Sequence, residues 1–254
     1  MPRVSAAGHA LEYSWIEGGA ATLVFLHEGL GSIRQWRDFP QQVAAATGCR
    51  ALVYDRYGYG KSDVLRAPGV GPDFMHDGAL NELPELLENL HVENPILIGH
   101  SDGASIALIY AGSYPARGVA VMAPHVFIED VCIDSIRNAA AQFETSGLLQ
   151  RLGKYHRDPR KTFHLWADAW LDPAFRNWNI ESCLAGIGGP VLAIQGEDDE
   201  YGTMAQLDAI QRQVGGPCEV LKLKDCGHAP FRDQPEKVLH SISGFIGKII
   251  GTGS

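Results

Sequence analysis

The chain has 254 residues, of which 45% are hydrophobic and 20% charged, a composition typical of a folded domain with a large core. Its net charge of −9 argues against a protein that tracks a nucleic-acid backbone, because such proteins need a basic face; we expect a small molecule as partner. We recognise no signal peptide and no apolar run long enough to span a bilayer, which predicts no membrane contact and a cytoplasmic location.

The cysteines and histidines do not show the spacing that is typical of a metal site or of a disulfide framework. An odd number of cysteines without a CxxC pair predicts reduced thiols. The histidines at 156 and 164 lack a second ligand at helical spacing. We therefore predict neither a metal nor a cofactor, and the sequence leaves monomer and homodimer equally open. The cysteines are Cys49, Cys132, Cys183, Cys218 and Cys226.

Short apolar runs alternate along the chain with amphipathic stretches, which is typical of a mostly parallel sheet with helices on both faces. We therefore predict an α/β fold. The runs that predict strands are 11–16, 22–27, 50–54, 95–99, 119–123, 190–195 and 218–223. The stretches that predict helices are 36–47, 73–90, 101–114 and 234–250.

The segment 127–184 interrupts this alternation, because it contains several helical stretches rich in Trp and Phe and no strand-like run. We interpret it as a helical insertion between two strands of one sheet, which leaves 1–126 and 185–254 as the core. Pockets between two layers are lined mainly by apolar side chains. Trp166 and Trp170 are therefore candidates for a substrate pocket, together with Glu28 and with His125, which follows a predicted strand but could equally be an ordinary loop residue.

The stretch Gly99-His100-Ser101-Asp102-Gly103 matches G-x-S-x-G between a predicted strand and a predicted helix. A nucleophile on such a tight turn needs small neighbours, which the two glycines provide. The turn also aims the hydroxyl at the carboxyl ends of the strands, where open α/β sheets bind ligands. Ser101 is the candidate nucleophile; alternatively, the glycines merely separate a buried strand from a helix.

A base and an orienting acid follow in the order that such a serine requires. Gly196-Glu197-Asp198-Asp199 follows one predicted strand, and Gly227-His228 follows the next. A serine hydroxyl is a weak nucleophile until an imidazole, held by a carboxylate, removes its proton. This order predicts His228 as general base and one of the tandem aspartates as its orienter; a structural histidine is the alternative.

The reaction also needs donors for the negative charge that develops on a carbonyl oxygen. One donor should be the amide of Asp102, directly after the nucleophile. The other should come from the loop 27–31, where we favour the amide of Gly29 over that of Glu28. A glycine-rich turn without a catalytic task is the alternative interpretation of this loop.

Taken together, these motifs resemble the α/β-hydrolase fold superfamily, in its esterase and lactonase branch with a helical cap. The matching segments are 27–32, 54–62, 99–103, 196–199 and 227–230. The resemblance implies eight strands, mostly parallel, with a cap over the site. It also selects Asp199 over Asp198, because the family's acid lies three residues after the glycine.

One position departs from that family. The early loop usually has glycine where this chain has Glu28, and a carboxylate beside an oxyanion opposes charge development unless it is paired. We expect Glu28 to face a nearby backbone group or Arg34, or else to contact a polar or cationic part of the substrate. Asp55 and Arg56 in the next matching segment are expected to form a structural pair that braces their loop.

The predicted reaction is acyl transfer to water through an acyl-enzyme on Ser101, with a small to medium carboxylic ester or lactone that carries an apolar or aromatic portion. Hydrolysis of C–C bonds in ring-cleavage diketones uses the same three residues and stays an alternative. A receptor on the same fold, which binds a ligand without turnover, is the alternative from another class.

Overall fold

A computed structural model describes residues 1–66 and 71–251. The sequence also predicts a frayed tail at residues 251–254; Gly251 ends the last helix, and 252–254 lie outside the described ranges. The strands are β1 (Arg3–Ala6), β2 (His9–Ile16), β3 (Gly19–Leu26), β4 (Cys49–Tyr54), β5 (Ile96–His100), β6 (Gly118–Met122), β7 (Val191–Gly196) and β8 (Cys218–Leu223). They form one sheet in the order β1-β2-β4-β3-β5-β6-β7-β8. Only β1 with β2 and β2 with β4 pair antiparallel, so the predicted eight-stranded, mostly parallel sheet is confirmed.

Helices lie on both faces of this sheet and in one long connection. They are α1 (Phe39–Thr47), α2 (Phe74–Asp77), α3 (Leu83–Asn89), α4 (Asp102–Ser113), α5 (Asp130–Ala141), α6 (Leu148–Leu152), α7 (Pro159–Leu171), α8 (Glu181–Leu184), α9 (Ala205–Gln213), α10 (Pro230–Asp233) and α11 (Pro235–Gly251). Two short 3₁₀ segments add Ile33–Trp36 and Pro173–Asn177. No helix in the two described ranges is long and apolar enough to cross a bilayer.

The alternation of side chains along the central strands builds two cores. In β3, Leu23 and Phe25 belong to the core under α1 and α11, whereas Val24 and Leu26 belong to the core under α3 and α4. All four side chains are fully buried. Burial of one such side chain contributes about 1.5–3 kcal/mol, so these inner strands hold the sheet as a rigid platform.

Two predicted helices differ in detail from the structure, and one strand was not predicted. The helix expected from residue 36 begins at Phe39, because Arg37 has a positive φ of 56° that ends the preceding 3₁₀ turn. The single helix expected over 73–90 consists of α2, a π-helical turn at Gly78–Glu82 and α3. Strand β1 was not predicted, since its four residues are too short to show a period.

The connection between β6 and β7 contains α5, α6, α7 and α8, although these two strands are neighbours in the sheet. Its ends meet where the Ile180 amide donates to the Val126 carbonyl at 2.8 Å. Inside it, Phe143 stacks on Phe163 with ring centroids 3.8 Å apart. This helical insertion thus has apolar packing of its own, and the boundaries 127–184 stay a prediction.

Buried polar contacts attach the insertion to the loops above the sheet. Thr162 Oγ1 donates to the Gly58 carbonyl at 2.8 Å. The Gly60 amide donates to His156 Nδ1 at 2.8 Å, and His156 Nε2 donates to the Leu30 carbonyl at 3.1 Å. Burial lowers the pKa of His156 to about 4, which keeps the ring neutral, as one accepting and one donating nitrogen require.

Candidate active site

Ser101 follows β5 directly, on a turn that only small neighbours permit. Its φ of 52° and ψ of −120° are rarely adopted by residues with side chains and cost about 1–3 kcal/mol. A Cβ on Gly99 would overlap the Gly103 carbonyl oxygen, and one on Gly103 would overlap that of Leu26. The close approach of β3, β5 and α4 therefore requires both glycines of the motif.

His228, in the loop after β8, lies between the serine and an acid. Its Nε2 is 2.9 Å from Ser101 Oγ, and its Nδ1 is 2.8 Å from Asp199 Oδ1. The carboxylate can only accept, so Nδ1 carries the hydrogen and Nε2 presents a lone pair to the serine hydroxyl. The structure thus brings these three predicted residues together in the geometry that proton abstraction from the serine needs.

Asp199, rather than the exposed Asp198, makes this contact. Its Oδ1 also accepts from the Tyr201 amide at 2.8 Å, and its Oδ2 accepts from Gln195 Nε2 at 3.2 Å. Sequence reasoning missed Gln195, although a glutamine in an otherwise apolar strand was a usable signal; the structure buries this side chain fully. These donors orient the carboxylate before it meets the imidazole.

The contact between His228 and Asp199 sets the charge of each group. Burial alone would lower the pKa of His228, but the hydrogen bond and charge of Asp199 raise it above its ordinary value. Burial would likewise raise the pKa of Asp199, and the contact with His228 lowers it. The geometry therefore favours an ionised aspartate that stabilises a protonated imidazole.

The peptide between Glu28 and Gly29 is held from its carbonyl side. The Glu28 carbonyl accepts from Arg56 Nη2 at 2.9 Å and from His27 Nδ1 at 2.7 Å. In a trans peptide the N–H points away from the C=O, so these donors fix the direction of the Gly29 amide. Within the described residues 1–66 and 71–251, neither the Gly29 amide nor the Asp102 amide donates a hydrogen bond to a protein group.

The Glu28 side chain does not contact Arg34, which is exposed, so that expectation was wrong. Its Oε2 lies 2.8 Å from His100 Nδ1, and its Oε1 lies 3.2 Å from Arg232 Nη2. Arg232 belongs to α10, about 200 residues away along the chain, and no local pattern indicates it. These two contacts pair the Glu28 carboxylate, whose charge would otherwise be unpaired in the loop that carries the Gly29 amide.

Asp55 and Arg56 were expected to brace the loop after their strand, and each does so through partners of its own. Asp55 accepts from the amides of Ile33 and Lys61, each at 2.7 Å, and so braces two loops. Arg56 approaches Asp102 Oδ2 at 3.7 Å beneath the nucleophile turn. Both residues are structural, but through different partners.

A cavity of about 330 Å³ lies over Ser101 and His228. The four predicted pocket residues, Glu28, His125, Trp166 and Trp170, all line it, as does Gly29. The sequence did not indicate the further lining residues, which come from α5, from α10 and from the loop after Asp199. They include Cys132, Ile136, Tyr201, Glu200, Asp233 and Arg232.

His125 and Trp170 form the wall that faces the base. His125 packs edge-on against Trp170 with ring centroids 5.1 Å apart, and burial lowers its pKa to about 3, so the ring is neutral. Trp170 Nε1 donates to Asp102 Oδ1 at 3.2 Å, which ties α7 to the residue that follows Ser101. The wall is thus largely apolar, with one neutral imidazole.

No three His, Cys, Asp or Glu side chains of the described ranges converge as a metal site would require. The five cysteines are all unpaired. Cys226, two residues before the base, is buried, and burial raises its pKa to about 11. Its thiol therefore stays protonated near neutral pH.

Residues 23–240 match the model of the alpha/beta hydrolase family. A proline iminopeptidase of Saccharolobus solfataricus is 34% identical over 92% of this chain and 87% of its own length. A 3-oxoadipate enol-lactonase of Acinetobacter baylyi is 26% identical over 83% of each chain. An sn-1-specific diacylglycerol lipase of Danio rerio is 32% identical over 78% of this chain, which spans only 57% of that protein.

Among solved structures, a study of carboxylesterases from Nitrososphaera gargenis provides a chain with a TM-score of 0.77. The two chains are 19% identical, and the match covers 99% of this chain and 100% of the other. At that identity the likeness concerns the fold alone.

Proposed function

This chain belongs to the alpha/beta hydrolase family, and we propose that it is a serine hydrolase that cleaves small to medium carboxylic esters or lactones. The family and the relatives support hydrolase activity. The observation that carries the serine mechanism is the chain of contacts Ser101–His228–Asp199, at 2.9 and 2.8 Å, on the floor of the cavity.

In the proposed mechanism Ser101 Oγ attacks the substrate carbonyl while His228 Nε2 takes the serine proton. The carbonyl oxygen becomes an oxyanion that accepts hydrogen bonds from the amides of Gly29 and Asp102. His228 then protonates the leaving alcohol, which departs and leaves an acyl-enzyme. A water molecule, deprotonated by the same imidazole, attacks the acyl carbon and releases the acid and the free serine.

The walls of the cavity support a substrate with an apolar or aromatic portion. Trp166, Trp170 and Ile136 supply apolar surface, and 330 Å³ lies near the lower end of the volumes of small-molecule sites. We propose that the helical insertion, which supplies these side chains, covers the site as a cap.

A second candidate function is release of an N-terminal residue from a peptide. Glu200 and Asp233 line the mouth of the cavity, and within the described residues neither forms an ion pair with a cation. Two such carboxylates could receive the ammonium group of a peptide terminus. The 34% identity to a proline iminopeptidase makes this activity a necessary comparison.

The test is hydrolysis of p-nitrophenyl esters of increasing acyl length, of lactones and of amino-acid p-nitroanilides by the wild type, Ser101→Ala and His228→Ala. Cys226→Ala, which removes a buried thiol two residues from the base, is the matched control. We expect ester or lactone turnover that both catalytic variants lose and that the control keeps. An inert wild type, or a Ser101→Ala variant as active as the wild type, would refute the proposal; selective anilide cleavage would favour the second candidate.

A further inference from the structure

His100, the residue before the candidate nucleophile, makes two hydrogen-bond contacts that the proposed mechanism does not use. The ring is 1% exposed. Its Nε2 lies 2.7 Å from the backbone carbonyl oxygen of His228, and its Nδ1 lies 2.8 Å from Glu28 Oε2. A carbonyl oxygen can only accept, so Nε2 must carry a hydrogen.

The two contacts of the His100 ring together need one proton more than a neutral imidazole and the Glu28 carboxylate contain. A neutral imidazole has a single N–H, which would leave the lone pair of Nδ1 facing a carboxylate oxygen at hydrogen-bond distance. The other oxygen of Glu28, Oε1, lies 3.2 Å from Arg232 Nη2, and a second cationic partner favours the ionised carboxylate. The geometry therefore assigns the additional proton to His100 Nδ1.

We propose that His100 is a positioning residue, protonated on both ring nitrogens, that joins three loops of the active site. Its contact with Glu28 holds the loop that carries the Gly29 amide. Its contact with the His228 carbonyl holds the base, and its peptide bond joins it directly to Ser101. The inference rests on the proposed function, since positioning matters only if these loops carry out the chemistry.

The surroundings of the ring favour such a fixed contact. Phe231 and Trp36 pack against it with ring centroids 5.3 and 6.3 Å away, which shields the His100 ring from water. The charged or titratable groups that face the pair are Arg232, on the far side of Glu28, and His228, whose ring centroid is 5.3 Å from that of His100. The positive charges of Arg232 and of a doubly protonated His100 therefore offset the Glu28 carboxylate.

The protonation state can be tested without any turnover, by ¹⁵N NMR of the histidine rings at pH 8. An unperturbed imidazole is almost entirely neutral at that pH. We expect one ring with two N–H groups in the wild type and in Ser101→Ala, and its loss in His100→Gln. In Glu28→Gln the amide can donate to Nδ1, so that ring should become singly protonated. Absence of a doubly protonated ring that responds to both substitutions would overturn the inference.

The positioning role can be tested with a double-mutant cycle. We expect Glu28→Ala and His100→Ala each to lower kcat about ten- to a hundredfold with little change in KM, and the double variant to lose no more than either single variant. Arg34→Ala, on the same loop but exposed, is the matched control and should keep wild-type kinetics.

Glu28→Gln completes this cycle, because a neutral hydrogen-bonded pair preserves the geometry. We expect it to stay within a few-fold of the wild-type kcat. Losses that add in the double variant, or a Glu28→Gln variant as impaired as Glu28→Ala, would refute the positioning role. An inert wild type with the doubly protonated ring intact would refute the proposed function and leave the protonation of His100 standing, so the two failures are distinguishable.

Discussion

At the scale of single residues, the tandem aspartates show how a shift of one position along a loop decides a role. Asp199 is buried and accepts from His228, Tyr201 and Gln195, whereas the side chain of Asp198 is exposed. Only the first can hold the imidazole in the tautomer that leaves Nε2 free to accept a proton.

Asp199→Asn should therefore lower kcat about a thousand- to ten-thousandfold, because an amide can donate to Nδ1 and so favour the wrong tautomer. Asp198→Asn, its neighbour and matched control, should change kcat less than twofold. Steady-state kinetics on the best ester of the panel measure both. Equal losses in the two variants would contradict the assignment of Asp199.

The raised pKa of His228 predicts the acid limb of the pH profile. His228 acts as a base only when neutral, so activity is present above its pKa and is lost as the pH falls through it. Because Asp199 raises that pKa, the midpoint of the fall in kcat/KM should lie above the ordinary histidine value of 6.5. A pH profile of kcat/KM measures this, and a midpoint below 6.5 would show that burial outweighs the aspartate.

The sequence was sufficient to predict the order of Ser101, Asp199 and His228, because each follows a strand and carries a local motif. It was not sufficient for the partners of Glu28. His100 and Arg232 reach Glu28 from β5 and α10, so their contact depends on how the sheet brings distant loops together. The expectation of Arg34 followed from nearness along the chain, and the fold points that side chain into solvent instead.

At the scale of secondary-structure elements, backbones approach very closely where α4 leaves β5. The Gly103 backbone meets the Leu26 carbonyl of β3 so closely that no Cβ fits. The backbone of a central strand cannot move aside without breaking its ladder. Not every helical glycine is confined in this way: Gly244 in α11 has nothing within 4 Å of the position where a Cβ would lie.

Gly103→Ala should therefore lower the free energy of unfolding by about 3 kcal/mol or more, through backbone overlap. Gly244→Ala, the matched control in an open helical position, should raise it by about 0.5–1 kcal/mol, because alanine is the better helix former. Urea unfolding followed by circular dichroism measures both. A Gly103→Ala variant as stable as the wild type would mean that β3 and α4 can separate at little cost.

The sequence predicted some strands and helices more accurately than others. Strands β4, β5, β6 and β7 are continuous apolar runs and were found with small errors at their ends. The helix over 73–90 was predicted as continuous because its leucines repeat at helical spacing. The π-helical turn at Gly78–Glu82 shifts the hydrogen bonds by one residue while keeping a buried face, a change that periodicity does not detect.

At the scale of the whole molecule, the net charge is −9, and the mouth of the cavity is also negatively charged. Glu200 and Asp233 lie there, and the arginine beside them, Arg232, is already paired with Glu28. Glu200 Oε2 accepts from the His228 amide at 3.3 Å, so this carboxylate lies close to the base. An anionic substrate would approach like charges on its way to Ser101.

We therefore expect kcat/KM for an ester that carries a carboxylate to be about tenfold or more below that of its neutral isostere. The difference should shrink as the ionic strength rises and should be smaller in Glu200→Gln. Glu219→Gln, on the distant edge strand β8, is the matched control and should leave the ratio unchanged. Equal turnover of both esters at low salt would show that the mouth carboxylates do not repel the substrate.

The junction of the helical insertion with the sheet has a consequence for folding and for evolution. Val126 and Ile180 share a backbone hydrogen bond, and the strands on either side pair directly, so the intervening chain leaves and rejoins the sheet at one place. The entropy of closing such a loop grows only with the logarithm of its length, about 0.6 kcal/mol per doubling. Its exposed stretches, away from the contacts of His156, Thr162 and Trp170 with the core, can therefore be lengthened or shortened at small thermodynamic cost, while the sheet beneath keeps its register. Diversification of such a protein would thus proceed by length changes in these stretches more readily than by repacking of the core.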